Sequence, residues 1–169
     1  MMNIRCETLL DYPAIAEVNT LAFQGETEAK LIKKIRSSDR YIPELSLVVE
    51  IESKVIAHIL YSYIDLVDKE TLPVLGLAPL AVHPEFQKQG IGSTLVKASL
   101  EIADTRGEAI VIILGHPAFY TRFGFQPSIN YQIESPFPVP DEFFMAKTLS
   151  SYDKQYQGKV VYPPAFNGV

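Results

Sequence analysis

Residues 75–106 read LGLAPLAVHPEFQKQGIGSTLVKASLEIADTR. The continuous apolar run from Val74 to Val82 predicts a strand buried on both faces. His83-Pro84-Glu85-Phe86 is a turn, and Gln87-Lys88-Gln89-Gly90-Ile91-Gly92 is a glycine-containing loop. An amphipathic helix follows to Arg106, with Leu95, Val96, Ser99, Ile102 and Ala103 on its inner side and Gly107 as its closing residue. Such a loop gathers unpartnered backbone N–H donors at the positive end of a helix dipole, so it predicts a seat for phosphate. Pro79 cannot donate to a sheet ladder, and its position inside the run predicts a bulge or splay point. The loop lacks the Gly-Lys-Ser/Thr of a Walker motif, and Leu95 stands where a dinucleotide fingerprint needs its third glycine.

Downstream, the apolar run Ala109 to Leu114 predicts a second buried strand, parallel to the first with the helix as crossover. Upstream, Asn3 to Glu7 is a first strand, and Asp11 is read as the N-cap of a helix with Pro13 in its first turn and Ile15, Val18 and Ala22 on one face. A second helix starts near Glu28, with Leu31, Ile32 and Ile35 inward and Lys30, Lys33, Lys34 and Arg36 as a solvated basic face. Leu45 to Ile51 and Val55 to Asp65, separated by Glu52-Ser53-Lys54, form an antiparallel hairpin whose second strand is apolar on both faces and therefore central. Pro73 ends the linker into the run at Val74. Beyond Leu114 come Gly115-His116-Pro117, a helical turn from Ala118 to Phe123, a strand from Phe143 to Leu149 and an aromatic segment from Val160 to Phe166. The order of elements is mixed α/β, α+β in character, around one sheet, read as a single domain over 1–169.

Composition narrows the function. A net charge of -5 argues against a general nucleic-acid binder, which needs a basic face, and leans toward a cationic partner. The single cysteine, Cys6, forms no internal disulfide and is read as inert packing on a buried strand. No apolar run reaches membrane-spanning length and no signal peptide is visible, so the expected location is cytoplasmic, away from the membrane. His58, His83 and His116 share no metal-ligand spacing, and no metal is expected; Tyr61 and Tyr63 are read as core or as lining of a substrate cleft.

The Gln-x-x-Gly-x-Gly loop after a strand ending Leu80-Ala81-Val82-His83-Pro84, together with Tyr120-x-x-x-Gly124-Phe125, resembles the GNAT superfamily of N-acetyltransferases. Gly115-His116-Pro117-Ala118-Phe119-Tyr120-Thr121-Arg122-Phe123-Gly124-Phe125 and Val139 to Met145 resemble its YhbS-like bacterial subgroup, so the similarity covers nearly the whole chain. The resemblance implies the acyl-CoA N-acyltransferase fold: a mixed, mostly antiparallel central sheet with a splayed pair of parallel strands, flanked by helices. It implies acetyl-CoA as co-substrate, with the pyrophosphate on Gln87, Lys88, Gln89, Gly90, Ile91, Gly92 and Ser93, and the pantetheine arm along Leu80, Ala81 and Val82. Gly115, His116, Phe119 and Tyr120 would line the other side, although many members have an asparagine where His116 stands. Tyr120 is matched to the tyrosine that protonates the departing thiolate, and Glu26 and Glu28, with Asp65 as a further candidate, to the carboxylate that helps neutralise the amine. Glu26 and Glu28 also suit the first turn of a helix on dipole grounds alone. The implied activity is acetyl transfer to a small-molecule or peptide amine by a monomer or homodimer. The alternatives are a non-catalytic acyl-CoA-binding sensor and a nucleotide binder using the same loop.

Overall fold

The computed structural model describes residues 1–168. The described residues divide into two compact units, the first of Met1–Ser62, Ala78–Ile102 and 165–168, the second of Tyr63–Leu77 and Ala103–Pro164.

In the first unit, β1 (Met2–Cys6) is antiparallel to β2 (Tyr41–Ile51), with Met2 opposite Ile51 and Cys6 opposite Leu47. β2 turns into β3 (Lys54–Val67) through Glu52 and Ser53, whose φ values of 50° and 64° give the left-handed two-residue turn that matches strand twist. Both strands run longer than their sequence cores, and the strand order continues to β4 (Thr71–Val82). Helices α1 (Tyr12–Phe23) and α2 (Thr27–Arg36) set Ile15, Leu31, Ile32 and Ile35 against Val48, Val55 and Leu60 of the sheet. The opposite face of β3 meets α3 (Ile91–Thr105), where Tyr61 Oη lies 2.8 Å from Ser99 Oγ. Ser99 Oγ itself donates to Val96 O, so Tyr61 is the donor to Ser99.

In the second unit the strand order is β3-β4-β5-β8-β6. β5 (Ile110–Leu114) is parallel to β4, and among the described residues that ladder pairs Leu75 with Val111 and Gly76 with Ile112. It ends before Pro79, which follows Ala78 through a cis peptide bond. β8 (Phe144–Thr148) is antiparallel to β5 along the whole of β5 and also pairs with β6 (Gln126–Pro127). β9 (Gly158–Val161) lies antiparallel to the end of β3 and parallel to β7 (Ile133–Glu134). α4 (Pro117–Tyr120) follows β5. Glu108 N donates to Ala103 O across Gly107, whose φ of 85° is the left-handed closure expected after α3. The mixed, mostly antiparallel sheet with the parallel β4–β5 pair and flanking helices is the expected fold class.

Several local expectations change. β4 begins at Thr71, so Pro73 lies inside the strand rather than before it. Asp11 makes no side-chain cap to α1; its carboxylate reaches back to Thr8 N at 2.7 Å and to Arg5 Nη1 at 2.7 Å, because these two donors already satisfy it. Cys6 is exposed, since β1 is an edge strand with solvent on one side. Arg36 departs from the solvated basic face: its guanidinium stacks 3.6 Å from the centroid of Tyr12 and pairs with the buried Glu7.

Candidate active site

In the first unit, β4 delivers Leu80, Ala81 and Val82 to a short 3-10 turn at Pro84–Phe86 and then to the loop. The junction is anchored. His83 N donates to Ile56 O at 2.8 Å, Gln87 Nε2 donates to Val82 O at 3.0 Å, and His83 Nδ1 accepts from Glu85 N at 3.1 Å. Lys88 and Gly90 turn left-handed, with φ of 63° and 80°, immediately before α3. A β-carbon at Gly90 would meet nothing within 4 Å, so its surroundings are open to a ligand. Thr94 N and Thr94 Oγ1 both donate to Gly90 O at 3.0 Å, closing the first turn of α3. The N–H groups ahead of Thr94, on Ile91, Gly92 and Ser93, belong to a helical turn that has no acceptor inside its own helix. Gln87, Lys88, Gln89 and Gly90 lie toward solvent and Ile91 is buried beneath them.

The same unit carries Glu26 and Glu28 at the start of α2. Glu26 is exposed, 3.8 Å from Lys30 Nζ, and Glu28 is half-buried. Under α1 and α2 lies a cluster that sequence periodicity does not assemble. Glu7 accepts from Arg36 Nε and Nη2 at 2.9 Å each, from Tyr41 Oη at 2.5 Å and from Ser46 Oγ at 2.6 Å. His58 Nε2 stands 3.4 Å from Glu7 Oε1 and 3.1 Å from Ser46 Oγ, and Asn19 Nδ2 lies 3.5 Å from His58 Nδ1 while donating to Ile15 O at 3.0 Å. Because Asn19 Nδ2 is a donor, His58 Nδ1 is the acceptor and Nε2 carries the proton. Burial pushes Glu7 up, but hydrogen bonds from His58, Arg36, Ser46 and Tyr41 outweigh it and hold the carboxyl far below the usual carboxylate range. Burial likewise pushes the His58 imidazole down, keeping it neutral despite Glu7. A lone histidine on a strand that is apolar on both faces is the signal that points to this cluster, since a buried polar group needs partners.

In the second unit, Gly115 N donates to Phe143 O at 2.9 Å, extending β5 by one residue into α4. Pro117 occupies the first helical position and Phe119 and Tyr120 follow. Tyr120 is 8% exposed, with its ring edge-on to Phe119 at 4.8 Å and to Phe125 at 5.6 Å. A β-carbon at Gly115 would lie 2.6 Å from Tyr120 Cε2, so glycine is what allows the ring to approach the strand. Burial pushes the Tyr120 phenol well above its ordinary value. Gly115, Phe119 and Tyr120 are thus brought together, whereas the His116 ring turns to Phe143 at 6.4 Å. Asp65 lies on β3 opposite Val161. Among the described residues no cluster of His, Cys, Asp and Glu suits a metal ion, and no helix is long and apolar enough to cross a membrane.

Residues 12–125 match the sequence profile of the Acetyltransferase (GNAT) family. Among curated proteins, the chain is 35% identical over 134 residues to the uncharacterized N-acetyltransferase YjhQ of Escherichia coli K12, covering 78% of this chain and 74% of that protein. It is 32% identical over 149 residues to the uncharacterized N-acetyltransferase YhbS of the same organism, covering 88% of each. Among solved structures, Escherichia coli YhbS in complex with CoA superposes with a TM-score of 0.89 at 32% identity, covering 98% of this chain and 92% of that one. A GNAT family acetyltransferase from Brucella melitensis in complex with acetyl-CoA gives a TM-score of 0.81 at 27% identity, covering 99% of both chains. Sequence and fold agree, and the chain belongs to the GNAT family of acetyltransferases.

Proposed function

We propose that the protein transfers an acetyl group from acetyl-CoA to a primary amine by direct attack in a ternary complex. The observation that carries this reading is the likeness, over nearly the whole chain, to structures solved with CoA and with acetyl-CoA. Acetyl-CoA supplies the activated thioester: the amide bond forms as the carbon–sulfur bond breaks, the amine loses a proton and the thiolate gains one.

The chain's residues fit these needs. Gln87, Lys88, Gln89, Gly90, Ile91, Gly92 and Ser93 are assigned to the pyrophosphate, on the left-handed turn at Gly90 and the unpaired donors of a helix start. Leu80, Ala81 and Val82, the last residues of β4, are assigned to the pantetheine arm by strand-like pairing. Gly115, His116 and Phe119 are assigned to its other wall. Tyr120 keeps its proton because burial favours the neutral phenol, and it is the group we assign to protonate the leaving thiolate. In water that transfer is uphill, from a phenol of pKa about 10 to a thiolate whose thiol has pKa about 8.5. The burial that raises the phenol raises the proton affinity of a thiolate in the same surroundings too, so the two move together and the transfer relies on Tyr120 being positioned beside the sulfur as the carbon–sulfur bond breaks.

The amine must be neutral to attack, against an ordinary pKa of about 10.4 for a lysine-like group. Glu26 or Glu28 is assigned to take that proton, directly or through water, with Asp65 as the alternative. Replacing Glu26 or Glu28 by Gln in turn separates them: the true base lowers kcat with little change in melting temperature.

The reading is tested by thermal stabilisation with acetyl-CoA, CoA, ATP and NAD. A ligand at about a hundred times its Kd stabilises a fold by roughly 2.7 kcal/mol, so the two CoA species should stand clear of the nucleotides. Thiol release from acetyl-CoA across polyamines, aminoglycosides, amino acids and peptides then identifies turnover. Stabilisation without release on any amine would make the protein an acyl-CoA sensor. No stabilisation by either CoA species would overturn both readings.

A further inference from the structure

β5 is buried from Ile110 to Ile113, none of these four being more than 3% exposed, and then abruptly presents Leu114 at 46%. Leu114 is the C-terminal residue of a strand parallel to its neighbour β4, the end of an α/β sheet where ligands bind. Its direction follows from its neighbours. A β-carbon at Gly115 would point at the Tyr120 ring and lie 3.5 Å from Ile113 Cδ1, so positions 113 and 115 share the Tyr120 side. Alternation then sends Leu114 to the opposite face.

On that face Leu114 stands directly across from Phe144 of β8. Phe144 is 1% exposed and forms the floor for Phe137, whose ring lies 6.1 Å away and edge-on at 67°. Phe137 is 38% exposed and rests against Tyr162 at 5.5 Å. Its backbone is held by Ser135, whose Oγ accepts from Phe137 N at 2.9 Å and donates to Phe137 O at 3.3 Å. Leu114, Phe137 and Tyr162 therefore form an apolar strip disposed around the buried Phe144. It starts one residue from Gly115 and lies on the face of β5 away from Tyr120.

We propose that this strip binds the body of the acceptor, so that the amine acetylated is one carried on an aromatic or branched-alkyl group. The inference rests on the acetyltransferase reading and deepens it. Apolar walls with few polar groups are what small-molecule sites present, and an exposed leucine and phenylalanine placed over a buried aromatic floor supply such a wall. An aromatic or branched-alkyl body has apolar area to bury against these side chains, whereas the thin, charged chain of a polyamine has little.

The test compares 2-phenylethylamine and isoamylamine with ethanolamine and putrescine by thiol release from acetyl-CoA, in the full chain and in Phe137→Ser and Leu114→Ser. Each variant's melting temperature and acetyl-CoA Kd are measured alongside. Both altered residues are exposed, so the variants are expected to fold. The apolar amines should show kcat/KM at least about tenfold above the polar pair, the scale of one or two apolar contacts in a pocket. Either substitution should erase most of that ratio while acetyl-CoA Kd stays constant. Equal kcat/KM for all four amines, a preference that survives both substitutions, or acetyl-CoA stabilisation with no amine turned over would overturn the proposal. Loss of acetyl-CoA stabilisation in the unaltered chain would instead overturn the acetyltransferase reading on which it rests.

Discussion

Glu7 in the first unit accepts hydrogen bonds from Arg36, Tyr41 and Ser46 and stands within reach of His58, while Tyr120 in the second unit is walled by the rings of Phe119 and Phe125. Both are buried polar side chains, Glu7 directly after β1 and Tyr120 at the end of α4. The first is a carboxylate whose charge is saturated by donors, which ties β1, β2, β3 and α2 together and leaves it no capacity to exchange a proton near neutral pH. The second has its pKa raised by burial, with no charged partner among the causes, so its proton is retained for want of solvent rather than by a fixed partner. The first is fixed by its donors; the second simply keeps its proton, as Tyr162 does for the same reason.

The contrast can be broken by substitution, and the largest expected effect is on the saturated side. Glu7→Gln leaves the Arg36 guanidinium without its anion, and removing one partner of a buried pair costs about 3–5 kcal/mol. Chemical denaturation should report that loss, while acetyl-CoA Kd of the folded protein stays unchanged. Gly115→Ala comes next. Its methyl would have to displace the Tyr120 ring, an overpacking cost of about 1–3 kcal/mol, and kcat should fall with stability because the phenol moves.

The pH response of the Glu7 cluster is smaller and has a definite sign. His58 in the fold lies below its ordinary value of 6.5, so its contribution to stability is present above pH 6.5 and is lost as pH falls below it. Glu7, also depressed from 4.5, adds a second loss only as pH falls further. Thermal midpoints measured from pH 7.5 to 5 should therefore decline in the unaltered protein, and His58→Gln should flatten that decline. The smallest effect is expected at the exposed Glu26–Lys30 pair: Lys30→Met should change stability by less than about 0.5 kcal/mol.

The stretch from Val74 to Arg106 is legible in the sequence because strand, loop and helix are local and each obeys one periodicity. The hairpin, β5 and β8 are legible for the same reason. Glu7, Arg36 and His58 are not, because they lie far apart in the chain and meet only when β1, α2 and β3 are packed; helical periodicity places Arg36 only on a polar face. Asp11 shows the same limit on a smaller scale. A good N-cap residue by composition spends its carboxylate on Arg5 and Thr8 instead. Cys6 misleads because an alternating segment does not announce whether it will be an edge strand. At the candidate site, Tyr120 to Phe125 is readable through resemblance, whereas the apolar strip depends on the register that sets Leu114 opposite Phe144.

The assignment of Tyr120 as proton donor is tested most directly by Tyr120→Phe, with acetyl-CoA Kd and kcat measured on the same preparation. An aromatic ring is kept and one oxygen is lost, so packing against Phe119 and Phe125 is retained. A positioned acid contributes about 10²–10⁴-fold, and the expected result is a fall in kcat of that size with Kd unchanged. An unchanged kcat, or equal losses in kcat and affinity, would contradict it and make Tyr120 a packing or binding residue.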